Sequence, residues 1–243
     1  MDDDLHKDLF GADHLSDSNS DLDILLDEGE ILERNLVLNL PIPPSLQLLG
    51  HQPECITDIP GLLISRNLIS PDLCALYFNW LESRYFSSSL GSSINGINQG
   101  LHFGTLLNPA TPLGYLAYIA RQLLPGHEFN QAIINMYDPG QGIGDHVDLL
   151  RFGDGICGFS FGCAAQMRMI KVDGDVRKRA ERYAEEKEGS SGYLVDVRVG
   201  DVYVLSREAR FQWTHGFPRR IGEVDNVLGR RISVTLRWLL IDS

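Results

Sequence analysis

Hydrophobic and polar positions follow a helical period in the first half of the chain and a strand-like one in the second. The stretch ITDIPGLLISRNLISPDLCALYFNWLESRYF opens as a short strand, turns at Ser70 and Pro71, and continues with Leu73, Leu76, Trp80 and Leu81 at helical spacing. Ser70 suits the N-cap and Pro71 the first helical position, where a missing N–H costs nothing. These apolar residues read as core rather than as a binding stripe. SSSLGSSINGINQG is a loop or loose hairpin leading into LHFG, and LLNPATPLGYLAYIARQLLPG predicts a second helix, begun near Thr111 and Pro112 and closed around Pro125 and Gly126. From Phe129 onward the chain is β-rich: FNQAIINMY, ICGFSFGCAAQMRMIKV as two strands joined through Gly162, then YLVDVRV, DVYVLS, ARFQWTHGF and RRISVTLRWLLI. About eight strands after two helices predict an α+β, mainly β fold, a double-stranded β-helix (jelly-roll) with helices packed outside.

The order of charge divides the chain in two. Of 243 residues with a formal charge of −12, the first 34 hold twelve acidic residues against Lys7 and Arg34, so the remainder is nearly neutral. Asp-rich sequence with interspersed Leu and Ile repels itself and buries too little to offset ordering entropy. Residues 1–52 are therefore expected to be a disordered acidic tail followed by a stiff connector around Pro41, Pro43 and Pro44, and residues 53–243 the catalytic domain, with folded sequence starting near Cys55. Leu22, Ile24, Leu25, Leu26, Ile31 and Leu32 also suit a short motif that folds on a protein partner. The start lacks the basic and apolar runs of a signal peptide, and no stretch approaches the ~20 apolar residues of a membrane span. Cys55, Cys74, Cys157 and Cys163 have no C-x-x-C spacing. Reduced thiols and residence in cytoplasm or nucleus follow, with no membrane partner. The charged insert at 173–192 reads as a surface flap, or as a carrier of basic residues (Arg177, Lys178, Arg179, Arg182) that meet substrate phosphates.

Candidate chemistry gathers in the β-rich half. GDHVD holds His146 and Asp148, WTHG holds a lone His215, and sixteen residues later GRRISVTLR sets Arg231 and Arg237 on one period-two face. An H-x-D triplet or a single strand His is weak evidence alone. Turn chemistry before the triplet, a distal His and a paired-arginine strand raise it together. Two imidazoles and one carboxylate on a mononuclear iron leave positions open for an organic cosubstrate and dioxygen, so the chain reads as an iron oxygenase.

NMYDPGQGIGDHVD, WTHG and RRISVTLR resemble the AlkB-type Fe(II)/2-oxoglutarate dioxygenases, whose pattern is N-x-Y, nine residues from that Tyr to the H-x-D His, a distal His and R-x-x-x-x-x-R. The resemblance runs from about Cys55 to Asp242, and HFG at His102, REARFQWTHG and Ser233 stand closest to homologues of the tRNA-modifying branch. It implies Fe(II) on His146, Asp148 and His215. Arg231 and Tyr137 would take the distal carboxylate of 2-oxoglutarate, with Arg237 and Asn135 near the iron-bound end. An arginine fork matches a carboxylate in geometry and keeps its charge.

The expected reaction consumes 2-oxoglutarate and O2, and hydroxylates a carbon or removes an N-methyl group as formaldehyde. An alkylated base must leave its stack to reach such a site, so residues 86–104 are lid candidates, with His102 and Phe103 as substrate contacts; for Phe103 a core role is equally open. Arg84, Arg151, Arg207, Arg210, Arg219, Arg220 and Arg230 are basic candidates near the mouth. A nearly neutral domain favours single-stranded nucleic acid over undirected duplex binding. A protein or small-molecule substrate, and a non-catalytic protein that uses its acidic tail to bind partners, are the alternatives.

Overall fold

In the computed structural model, which describes residues 28–41, 52–86, 92–94, 97–103, 106–172, 192–218 and 229–240, the first element is a helix, α1 (Glu28–Asn39). This corrects the expectation of disorder for residues 28–39 alone; residues 42–51 lie outside the described residues. Leu36 is fully buried, and Leu32 and Leu40, one turn either side, pack on the same core. Four-residue spacing puts the three on one face, and full burial of Leu36 contributes roughly 1.5–3 kcal/mol, with smaller contributions from the partly buried Leu32 and Leu40, which favours a helix despite its acidic neighbours. Glu33 Oε2 also accepts from Trp80 Nε1 at 3.3 Å. Residues 1–27, Pro43 and Pro44, the insert at 173–191, Arg219 and Arg220 lie outside the described residues.

β1 (Glu54–Cys55) and β2 (Leu62–Ser65) precede α2 (Pro71–Phe86), which starts where Ser70 and Pro71 predict: Leu73 N–H donates to Ser70 Oγ at 3.4 Å. β3 (Ser92–Ile94) and β4 (Ile97–Phe103) form a hairpin, and α3 (Pro112–Leu123) is capped by Thr111 Oγ1, which accepts from Gly114 N–H at 3.2 Å. β5 (Gln131–Tyr137), β6 (Ile143–His146), β7 (Ile156–Phe161), β8 (Ala165–Lys171), β9 (Tyr193–Val197) and β10 (Val202–Leu205) follow. After α4 (Arg207–Phe211) come β11 (Trp213–Phe217) and β12 (Arg231–Arg237). ARFQWTHGF is thus not a strand throughout; its first residues are helical.

The strands form two antiparallel sheets, an eight-stranded one in the order β1-β2-β10-β7-β12-β5-β4-β3 and a four-stranded one in the order β6-β11-β8-β9. Side-chain alternation assigns the two faces of the large sheet. On β12, Ile232, Val234 and Leu236 join Phe159, Phe161, Ala132 and Ile134 in the core under α1, α2 and α3. Arg231, Ser233, Thr235 and Arg237 occupy the opposite face, toward the small sheet. A second core there holds Met167, Met169, Tyr203, Leu205, Trp213 and Phe217. The expected jelly-roll with outer helices is therefore present, and the polar residues of β12 point inside it. Among the described residues no helix is long and apolar enough to cross a membrane.

Candidate active site

A tight turn delivers the H-x-D triplet. Gln141 N–H donates to Asp138 O at 2.9 Å and Asp138 N–H to Gln141 Oε1 at 2.8 Å, which reverses the chain out of β5 into β6. β6 pairs with β11 so that His146 stands directly opposite His215, with ring centroids 4.4 Å apart. Asp148 follows just past β6, its Oδ1 3.5 Å from His146 Nε2. One ligand atom from each of the three lies within 4.8 Å of the others. His146 Nδ1 is 2.9 Å from the Gly144 carbonyl oxygen. If that nitrogen donates to the carbonyl, Nε2 is left with its lone pair toward the cluster.

The strand behind is built to permit this pairing. Asp145 and Arg168 form an ion pair across Gly216 on the outer face of the small sheet. A Cβ on Gly216 would lie 2.3 Å from Asp145 Oδ1 and 2.9 Å from its backbone nitrogen, so the Gly of WTHG is required by close approach.

The electrostatics suit a cation. Burial, aided by His146, Arg210 and Arg237 and opposed by Asp148, lowers His215 to about 3, which keeps its imidazole neutral. For His146, burial pulls downward, but the hydrogen bond and charge of Asp148 raise it overall. Burial pushes Asp148 upward, and the His146 hydrogen bond together with the charge of Arg237 overcomes it, holding the carboxylate well below its usual range. Two imidazoles and an ionised carboxylate fit Fe(II).

Beyond this cluster lies an anion cradle. Arg231 is 5% exposed, and its Nε donates to Ser160 Oγ at 3.1 Å. Its guanidinium carbon lies 4.1 Å from the Phe217 ring centroid and 5.3 Å from that of Tyr137. Nη1 and Nη2 are buried with no hydrogen-bond partner among the described residues. Buried donors left in a fork call for an acceptor, and a carboxylate of 2-oxoglutarate matches their charge and spacing. Arg237 is spent differently: Nε donates to Gln131 Oε1 at 3.0 Å, while Nη1 is 3.3 Å from Asp148 Oδ2.

Tyr137 stands opposite Arg231 in register, and Asn135 opposite Ser233, so the expected cosubstrate residues share the inner face with the metal cluster. His102 does not. It pairs with Ala132, whose side is the helix-covered core, so its register position is on the other face from Arg231. Phe103 pairs with Gln131 and takes the register position next to Arg237. Residues 97–103 of the lid candidate are a strand bonded to β5. Of the basic mouth candidates, Arg230 pairs with Glu82 at 2.5 Å and Asp138 at 3.0 Å. Arg210 is not at the surface: it is 2% exposed and donates to the carbonyls of Asp148, Leu149 and Phe152 at 3.1, 2.9 and 3.1 Å. Sequence reasoning missed that role, together with Ser160, Gln131 and Tyr203. A polar residue within an otherwise apolar strand, such as Ser160 in ICGFSFG, is the signal that marks an inner site face.

Comparison with known proteins gives a match to the 2OG-Fe(II) oxygenase superfamily over residues 100–237. The N6-methyladenosine RNA demethylase ALKBH of Cryphonectria parasitica is 32% identical over 105 residues, 43% of this chain and 46% of that protein. The chain therefore spans less than half the length of this curated relative. The solved structure of OsALKBH1 aligns with TM-score 0.51 and 16% identity, covering 73% of this chain and 98% of that one. A Pseudomonas putida prolyl-4-hydroxylase aligns with TM-score 0.45 and 14% identity, covering 80% and 96%.

Proposed function

The chain belongs to the 2OG-Fe(II) oxygenase superfamily, and from that premise we propose that it is an Fe(II)- and 2-oxoglutarate-dependent dioxygenase that oxidises an alkyl group on a nucleobase of single-stranded DNA or RNA. The observation that carries the reading is the pair of buried Arg231 nitrogens, Nη1 and Nη2, which have no hydrogen-bond partner among the described residues, on the same inner face as the His146, Asp148 and His215 cluster.

His146, Asp148 and His215 would hold the metal. Arg231, steadied by Ser160 and flanked by Tyr137 and Phe217, binds the distal carboxylate of the cosubstrate. Arg237 fixes the second oxygen of Asp148, and Arg210 fixes the backbone that carries it. When bound, Fe(II) with 2-oxoglutarate and dioxygen supplies oxidation of a C–H bond, with succinate and carbon dioxide as coproducts. On an N-methyl group the hydroxylated product loses formaldehyde. The nucleobase is supported by the relative from Cryphonectria parasitica, which is named for demethylation of N6-methyladenosine in RNA. Single strands fit best because their bases reach an enclosed site without the cost of leaving a duplex.

The test is succinate formation from 2-oxoglutarate with Fe(II), in wild type and His215→Ala, with N6-methyladenosine RNA, methylated single-stranded DNA and a methylated peptide. Iron-dependent turnover that the variant loses, stimulated by a methylated nucleic acid with release of formaldehyde, is expected. Stimulation by the peptide alone would overturn the substrate class, and absence of both turnover and metal binding would overturn the enzyme.

A further inference from the structure

Behind the cosubstrate cradle, one row of the large sheet departs from the packing around it. Register aligns Thr235 on β12, Gly158 on β7 and Tyr203 on β10, side by side on the inner face. Gly158 has no side chain, and the Tyr203 ring takes its place: a Cβ there would lie 2.0 Å from Tyr203 Cζ and 2.4 Å from its hydroxyl oxygen. The ring thus crosses β7, and its hydroxyl is hydrogen-bonded to Thr235. Thr235 sits on the same face of the same strand as Arg231 and Arg237, between them.

Two further relations fix where this leaves Tyr203. It interacts electrostatically with Arg231, Tyr137 and Asp148. Its ring lies 6.3 Å, centroid to centroid, from Phe217, the ring on which the Arg231 guanidinium rests. A ring that crosses β7 toward Thr235 and packs beside Phe217 stands next to the stretch between Arg231 and the metal ligands that the carbon chain of a 2-oxo dicarboxylic acid would span. Tyr203 is also 3% exposed and belongs to the inner core with Met167, Met169 and Phe217, so its ring is held between the sheets and not in bulk solvent.

We propose that Tyr203 is a specificity-determining residue of the cosubstrate cavity. Its ring closes the cavity beside the chain and sets the length of diacid that fits, and its hydroxyl, steadied by Thr235, stands beside Arg231 as a further donor to the distal carboxylate. The inference rests on the cosubstrate reading above. Gly158 is its structural counterpart, since only a residue without a side chain admits the ring.

The test is direct binding, without turnover. The full chain loaded with Mn(II) is titrated calorimetrically, in the absence of oxygen, with 2-oxoglutarate, the six-carbon 2-oxoadipate and the four-carbon oxaloacetate. Tyr203→Phe keeps the ring and should weaken 2-oxoglutarate about five- to tenfold, the loss of one hydrogen bond. Tyr203→Val opens the cavity and should shift preference toward 2-oxoadipate by about tenfold relative to wild type, the scale of one methylene in a fitted pocket. Far-ultraviolet circular dichroism and retained Mn(II) binding verify that each variant is folded. If both folded variants bind all three acids as wild type does, the proposal is wrong. If wild type binds Mn(II) but none of the acids, the cosubstrate reading itself fails, and Tyr203 with it.

Discussion

Arg237 reaches back from the end of β12 to Asp148, Nη1 3.3 Å from Oδ2, with both side chains 8% exposed. The contact links the arginine strand of the large sheet to the loop after β6 and orients one of the three metal ligands. Arg237→Gln should leave 2-oxoglutarate affinity within a few-fold but lower kcat by about 10–100-fold, the scale of losing a group that orients a metal ligand. Steady-state kinetics with varied 2-oxoglutarate separate the two; a pure rise in KM would contradict this role.

Arg231 should show the opposite split. Arg231→Lys replaces a fork by a point charge and forfeits the bidentate geometry, so 2-oxoglutarate binding should weaken by about thirtyfold or more, roughly 2 kcal/mol for a charge-assisted pair. Mn(II) affinity should be unchanged. Anaerobic titration of metal first and cosubstrate second reads both on one sample.

Arg210 holds three backbone carbonyls between Asp148 and Phe152. Arg210→Met fills similar space with no donors, and at about 1–3 kcal/mol for each buried acceptor left unsatisfied the protein should lose about 3 kcal/mol or more of stability. Urea unfolding measures it. Faster amide exchange over 148–152 than elsewhere in the variant would place the damage at the metal loop.

Gly216→Ala should injure the metal site from behind. The new methyl would press on the backbone nitrogen of Asp145, one residue from His146. We expect Mn(II) affinity to fall by about tenfold or more while the large sheet persists. Electron paramagnetic resonance of free Mn(II) gives the affinity, and an unchanged value would show that β6 absorbs the methyl without moving its histidine.

The cysteines make a check on burial. Cys55 is exposed, whereas Cys74 and Cys157 are buried. Burial, with the nearby charge of Asp201, pushes Cys74 up to about 11, and burial alone raises Cys157. A thiol reacts as thiolate, so iodoacetamide at pH 8 should modify Cys55 quickly and leave Cys74 and Cys157 untouched until the protein unfolds. Mass spectrometry of timed samples decides it, and early labelling of Cys157 would mean that β7 opens in the native state.

Elements whose signals are local are legible along the chain. Ser70 with Pro71 and Thr111 with Pro112 mark both predicted helix starts, because capping needs only adjacent residues. The alternation of RRISVTLR put Arg231 and Arg237 on one face for the same reason, and the spacing of GDHVD and WTHG supplied the three metal-ligand candidates. Other features depend on which strands become neighbours. α1 is stable through packing on α2 and α3, which its acidic composition hides. Arg210, equal in sequence to any surface arginine, is buried because the chain after β6 presents three carbonyls to it. His102 falls on the far face by the parity of its pairing with β5, and a shift of one residue would have reversed it. The Tyr203 ring crosses β7 only because Gly158, forty-five residues earlier, becomes its neighbour and leaves the space open. Register and long-range pairing are properties of the assembled sheets, and no window along the chain contains them.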